Sequence, residues 1–191
     1  MPNNLNISLN NEEKIVIYSI GALDNTPLRS KTKLHKILFL FSNVFKDFQD
    51  ILEFEPHLLG PYSETVDYVL DDLIRLDLVE KRNNSFRLTN KGLMIFNSFK
   101  PKEDLTKVVE DFKDFLNDLT DDEVLTFVYV FYPQYIDESA RWNELKKNRI
   151  KIAISLLRKQ KISFTKASEI AGLNINEFED LLKKRNIRWK K

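Results

Sequence analysis

Apolar residues recur every three or four positions along most of this chain, and the runs are separated by Ser, Thr, Asn, Pro and Gly. That spacing places side chains on one face of an α-helix. From Glu12 to Leu23, the positions of Ile15, Val16, Tyr18, Ile20 and Leu23 predict a short helix, which Asp24-Asn25-Thr26-Pro27 ends in a turn. Ser30 is a natural cap for a second helix, with Leu34, Ile37, Leu38 and Phe41 at i, i+3, i+4 and i+7. Its early positions, Arg29, Lys31, Lys33 and Lys36, are basic. Phe54 and its neighbours read as a short strand that stops at Pro56. Gly60 and Pro61 turn the chain, and Ser63 caps a third helix whose Val66, Val69, Leu70, Leu73 and Leu76 oppose Glu64, Asp67, Asp71 and Arg75. Residues 78–81 and 85–88 form two strands around Arg82-Asn83-Asn84, where asparagine tolerates the left-handed backbone of a tight hairpin. Thr89 then caps a short helix through Phe99.

Beyond Pro101 the pattern stays helical. Leu105, Val108, Val109, Phe112, Phe115, Leu116 and Leu119 share one face. Val124 to Tyr132 is the longest apolar run, and its Thr126-Phe127-Val128-Tyr129-Val130 would suit a strand. Thr120-Asp121-Asp122-Glu123 decides for helix, because it is a capping box in which threonine and glutamate each satisfy a free backbone amide. Tyr132-Pro133 ends that helix, and the next, about Asn143 to Lys159, buries Ile152, Ala153, Leu156 and Leu157.

Helix, helix, turn-started helix and polar-tipped hairpin, in that order, predict a winged helix-turn-helix domain. The expected fold is mainly α with a small β wing (α+β). Residues 1–100 form the winged domain, 101–140 a helical extension packed on it, and 141–191 a basic C-terminal helix-turn-helix domain.

Composition narrows the class. Apolar residues make up 42% and charged residues 31%, an ordinary globular balance. Cysteine is absent, which excludes disulfides and thiolate metal sites and points to a cytoplasmic setting. No apolar run approaches the ~20 residues of a membrane span, and Met1 to Asn11 lacks the character of a targeting segment. The net charge of +1 conceals a division: residues 141–191 hold 15 Lys and Arg against 5 Asp and Glu, and residues 1–140 hold 15 against 24. An acidic body with a basic end suits a protein whose end meets nucleic acid or an acidic partner.

Two resemblances follow from the motifs. Lys31 to Ser63, continued by Asp72-Leu73-Ile74-Arg75-Leu76-Asp77-Leu78-Val79 and Phe86-Arg87-Leu88-Thr89-Asn90-Lys91-Gly92, resembles the YwgA-type bacterial and archaeal proteins. These are similar to the Panacea (SocA-like) antitoxin domain. The likeness reaches about Ser139, and its most specific part is Glu55, Pro56, Gly60, Pro61, Tyr62 and Ser63. It implies a winged-helix fold and an antitoxin or regulatory role, without catalysis. The Panacea pattern has a tryptophan ahead of its glycine-proline, where this chain has Leu58-Leu59. Residues 154–187 resemble small prokaryotic helix-turn-helix antitoxins through Lys166-Ala167-Ser168-Glu169-Ile170-Ala171-Gly172-Leu173 and Phe178-Glu179-Asp180-Leu181-Leu182. Those proteins are paired with PIN-domain ribonucleases. The motif also has local sense: Ala167 and Ala171 are small where helices cross, Gly172 permits the turn, and Leu173, Phe178 and Leu181 fill the wedge.

Neither expected recognition helix reads as a base reader. Asn174, Asn176, Glu177, Glu179 and Asp180 start one, and Glu64, Thr65, Asp67 and Asp71 the other, so carboxylates would face a phosphate wall. Backbone contact is what remains. Lys183, Lys184, Arg185, Arg188, Lys190 and Lys191 surround Trp189, and Lys159, Lys161 and Lys166 extend the run, as do Lys146, Lys147, Arg149, Lys151 and Arg158. Lys81, Arg82 and Arg87 of the wing are secondary candidates, with the second-helix lysines. Two histidines, His35 and His57, make no metal set, and no cofactor is expected. Glu53 and Glu55 would share a strand face, the weak basis for a metal-dependent nuclease.

The expected function is a non-catalytic regulator or antitoxin that binds nucleic acid, DNA in the first instance, mainly through its basic end. The acidic body would hold a toxin, another protein or a second copy of the chain. A pure protein-interaction module without nucleic-acid binding is the alternative.

Overall fold

The computed structural model describes residues 8–99, 101 and 103–189. Packing divides the chain into two units. One comprises residues up to Phe54 together with Ser63–Asp114, the other Glu55–Tyr62 together with residues from Phe115 onward. The fold is mainly helical, with one two-stranded antiparallel sheet among the described residues.

The first unit is built around α1 (Asn11–Asn25), which packs on α2 (Lys31–Val44), α4 (Glu64–Arg75), the hairpin and α5 (Asn90–Ser98). Asn10 and Glu13 close a capping box at its start. Ile15, Val16, Ile17 and Ile20 of α1 meet a core that includes Leu34, Ile37, Leu38, Phe41, Val66, Leu70 and Leu73, all buried. Each contributes about 1.5–3 kcal/mol relative to exposure. Helical geometry stops after Gly21, and Leu23, Asp24 and Asn25 turn left-handed. The side chain of Asn25 then pairs with the Leu88 backbone like an extra strand residue, donating to its oxygen at 3.0 Å and accepting from its amide at 2.8 Å.

Strands β1 (Val79–Arg82) and β2 (Ser85–Leu88) pair antiparallel, Val79 opposite Leu88, around a tip where Asn83 is left-handed. Leu28 pairs with Phe86, exchanging N–H···O bonds of 2.8 and 2.9 Å, so the segment between α1 and α2 joins the sheet as a wing's third strand does. Gly92 is required by close approach: a Cβ there would lie 2.1 Å from the Leu78 carbonyl oxygen. On α6 (Glu103–Asn117), Lys113 is fully buried and donates to the carbonyls of Ile20 and Ala22 at 2.6 and 2.7 Å, capping the end of α1. Burial lowers its amine to about 7.

The connection between α2 and α4 differs from the expected short strand. Its chain forms a helical turn, α3 (Gln49–Leu52), ended by left-handed Glu53. Glu55 makes a single bridge to Tyr62 rather than continuing a strand. The alternating strand that would present Glu53 and Glu55 on one face is therefore not formed.

In the second unit, Thr120 and Glu123 close the expected capping box, and α7 (Asp121–Phe131) is helical through the β-branched run. The Ser139 hydroxyl accepts the Arg141 and Trp142 amides and donates to Tyr129 Oη at 2.7 Å, starting α8 (Trp142–Arg158) against α7. Two short helices follow, α9 (Phe164–Ala171) and α10 (Ile175–Lys184).

Candidate nucleic-acid interface

The helix-turn-helix of the second unit follows from its caps. The Ser163 hydroxyl accepts the Lys166 amide to start α9, left-handed Gly172 ends it, and Asn174 with Glu177 forms a capping box on α10. Ala167, Phe178 and Leu182 are fully buried between the helices, whereas Leu181 is half-buried, so the wedge uses the next leucine along. Arg149 of α8 donates to the carbonyls of Ile170 and Glu169 at 2.6 and 2.7 Å and lies over the Trp142 ring. Its guanidinium is spent on the end of α9 rather than on a ligand.

Many of the cations singled out in the sequence are neutralised within their own unit. Lys159 reaches Glu123 at 2.6 Å, and the Ser155 hydroxyl donates to the same carboxylate at 2.6 Å. Burial pushes the Glu123 carboxyl up, but bonds from Lys159, Ser155 and the Thr120 amide outweigh it and hold it below the usual range. Lys161 pairs with Asp118 at 3.0 Å, and Lys183 with Glu179 at 3.1 Å. Lys166 pairs with Glu169 at 2.9 Å and sits over the Phe131 ring at 4.4 Å. In the wing, Arg82 and Arg87 both bond Glu80, and Lys81 lies over Phe86. The bond from Arg87 is the main reason that Glu80 stays below the ordinary carboxylate range. On α2, Lys33 and Lys36 are buried and Lys31 pairs with Asp67 at 2.6 Å.

Three cations escape this pairing and converge. Lys151 and Arg158 lie seven residues apart on one face of α8, and Arg185 follows α10; all three line one groove of about 500 Å³ with Ile154, Ser155, Lys159 and Ile187. Each is exposed, and none has an ion pair among the described residues. Lys184 and Arg188 are exposed too, while Lys190 and Lys191 lie outside the described residues. Trp189 is stacked on Phe164, centroids 5.3 Å apart and planes 28° apart. Sequence spacing alone hinted at the groove, since Lys151, Ile154, Ser155 and Arg158 follow a helical face, but Arg185 is brought to it only by the fold.

The motif Glu55, Pro56, Gly60, Pro61, Tyr62 and Ser63 forms a turn. Glu55 and Tyr62 exchange backbone bonds of 2.8 and 2.9 Å, Gly60 is left-handed, and His57 stacks on Tyr62 at 4.6 Å. Ser63 caps α4, and its amide donates to His35 Nδ1 at 3.3 Å. That places the proton of neutral His35 on Nε2, which donates to Asp67 Oδ1 at 2.8 Å. Burial is the main reason that the ring titrates below the usual histidine value.

Among the described residues, no three His, Asp or Glu side chains group as metal ligands would, and no helix is long and apolar enough to cross a membrane. No curated protein and no solved structure matches the chain. Residues 128–191, the stretch that carries α8, α9, α10 and the basic groove, match the model of an uncharacterised protein family, UPF0175.

Proposed function

We propose that this chain is a non-catalytic regulatory protein of the antitoxin type, acting in the cytoplasm, which binds nucleic acid by its phosphate backbone through the second unit. The observation that carries the reading is the convergence of Lys151, Arg158 and Arg185 in one groove without carboxylate partners. Elsewhere, carboxylates pair with Arg82 and Arg87 of the wing and with Lys161, Lys166 and Lys183 in and before the helix-turn-helix. Three uncompensated cations facing one groove suit consecutive phosphates. The antitoxin part rests on the likeness of the winged unit to YwgA-type proteins, themselves similar to Panacea domains, and of residues 154–187 to small helix-turn-helix antitoxins.

Fluorescence anisotropy with labelled oligonucleotides at rising salt tests the proposal. Three neutralised phosphates give a slope of log K against log salt of about −2 to −3. Each of Lys151→Ala, Arg158→Ala and Arg185→Ala is expected to flatten it by about one. No binding of any oligonucleotide at low salt refutes the reading.

A second reading has its own support. On α4, where a winged helix would present its reading face, Glu64 and Asp71 are exposed beside Tyr68, itself 70% exposed. That face suits a basic protein partner better than DNA. Calorimetric titration with a basic toxin protein, using wild type and Glu64→Lys/Asp71→Lys, separates the two: unaltered binding by the double variant removes α4 from the contact.

A further inference from the structure

The second unit holds another groove, of about 620 Å³, lined by Ile162, Phe164, Ile175 and Trp189 together with Gln160 and Glu179. It shares two elements with the basic groove. Gln160 directly follows the Arg158–Lys159 pair at the end of α8, and Trp189 lies on the same tail that supplies Arg185 and Ile187. One aromatic groove and one cationic groove thus have the α8 end and residues 185–189 as common edges.

We infer that the aromatic groove takes an unpaired nucleobase, so that the ligand of this unit is single-stranded nucleic acid; the inference rests on the phosphate-binding role proposed for the neighbouring basic groove. Trp189 stacks on Phe164 and lines the groove, so the fold presents an aromatic platform to a ligand. Aromatic platforms beside cations accept successive bases and phosphates of one strand. In a duplex the bases are stacked and paired, and their faces are closed to such a platform. Duplex docking by the usual route is also opposed by charge, because the start of α10 presents Glu177 and Glu179 to the phosphate wall. Of the two, Glu179 lines the groove, where its carboxylate, steadied by Lys183 at 3.1 Å, accepts from the exocyclic amine of a base. Ile175, 48% exposed, is the apolar floor that a base would cover.

Labelled oligonucleotides of mixed sequence, as single strands and as hairpin duplexes of equal length, test this on the full chain. Single strands are expected to bind at least about tenfold tighter than duplexes at matched salt and to quench tryptophan fluorescence. Trp189→Leu should weaken single-strand binding about tenfold without changing the salt slope, since no phosphate contact is lost, and should abolish the quenching. Trp142→Phe should retain it, because Trp142 packs on Tyr129 away from the groove. Ile175→Glu keeps Trp189 and its stacking on Phe164 but puts charge in the groove, and should also weaken single-strand binding. Duplex binding as tight as single-strand binding, with no quenching, overturns the base site and leaves the phosphate groove standing. Absence of binding to either form overturns both.

Discussion

Replacing Lys113 by methionine probes the least expected group in the first unit, a fully buried lysine that bonds carbonyl oxygens alone among the bonds it makes at the end of α1. Burial lowers its pKa from 10.5 to about 7. In the unfolded chain it stays near 10.5, so between these values the unfolded state binds more protons and stability rises with pH. The cost is complete below about pH 7 and vanishes above 10.5. At about 1.4 kcal/mol per pKa unit the shift corresponds to about 5 kcal/mol. Methionine removes that cost but leaves the Ile20 and Ala22 carbonyls without this donor, a loss of about 1–3 kcal/mol each. Near neutral pH the two effects nearly cancel, while at pH 10 the lost bonds dominate. The stability of Lys113→Met relative to wild type is therefore expected to fall by about 1.4 kcal/mol per pH unit between pH 7 and 10. Urea unfolding followed by circular dichroism over that range measures it. A difference that stays constant with pH would falsify the reasoning: the helix-end carbonyls would then hold the amine charged throughout.

Three further outcomes are expected. Gly92→Ala should destabilise the first unit by about 1–3 kcal/mol in the same assay, because its Cβ would meet the rigid Leu78 carbonyl at 2.1 Å. Asp77 adopts a left-handed backbone at the end of α4, so Asp77→Gly should raise stability by about 1 kcal/mol; an unchanged or lower melting temperature would contradict that account. His35 should titrate below 6.5 in imidazole NMR, with His57→Asn assigning the signal, and Asp67→Ala should depress it further by removing the bond that favours the charged ring. Since the folded pKa lies below the unfolded one, His35 withdraws stability as the pH drops below 6.5.

Local chemistry written in single residues proved readable in advance. Ser30, Ser63, Thr89 and the Thr120–Glu123 box start helices as their types require, because a cap depends on an amide two or three residues away. Asn83 turns the hairpin and Gly172 the helix pair for the same local reason. Distant partners were not readable. Glu80 pairs with two wing arginines, Glu123 takes Lys159, and Arg149 caps a helix twenty residues on. A charge count along the chain registers the cations of the last fifty residues but not which of them a carboxylate reaches in space. Nor does it register Lys113, a surface residue type that folding carries into the core to meet the end of α1. The sequence by itself determined the longer helices, the caps at Ser30, Ser63, Thr89 and Thr120, and the wing, through hydrogen bonds and apolar spacing that act within a few residues. Tertiary structure alone decided which positive charges remain available to a ligand, because electrostatic pairing depends on distance through space and not along the chain.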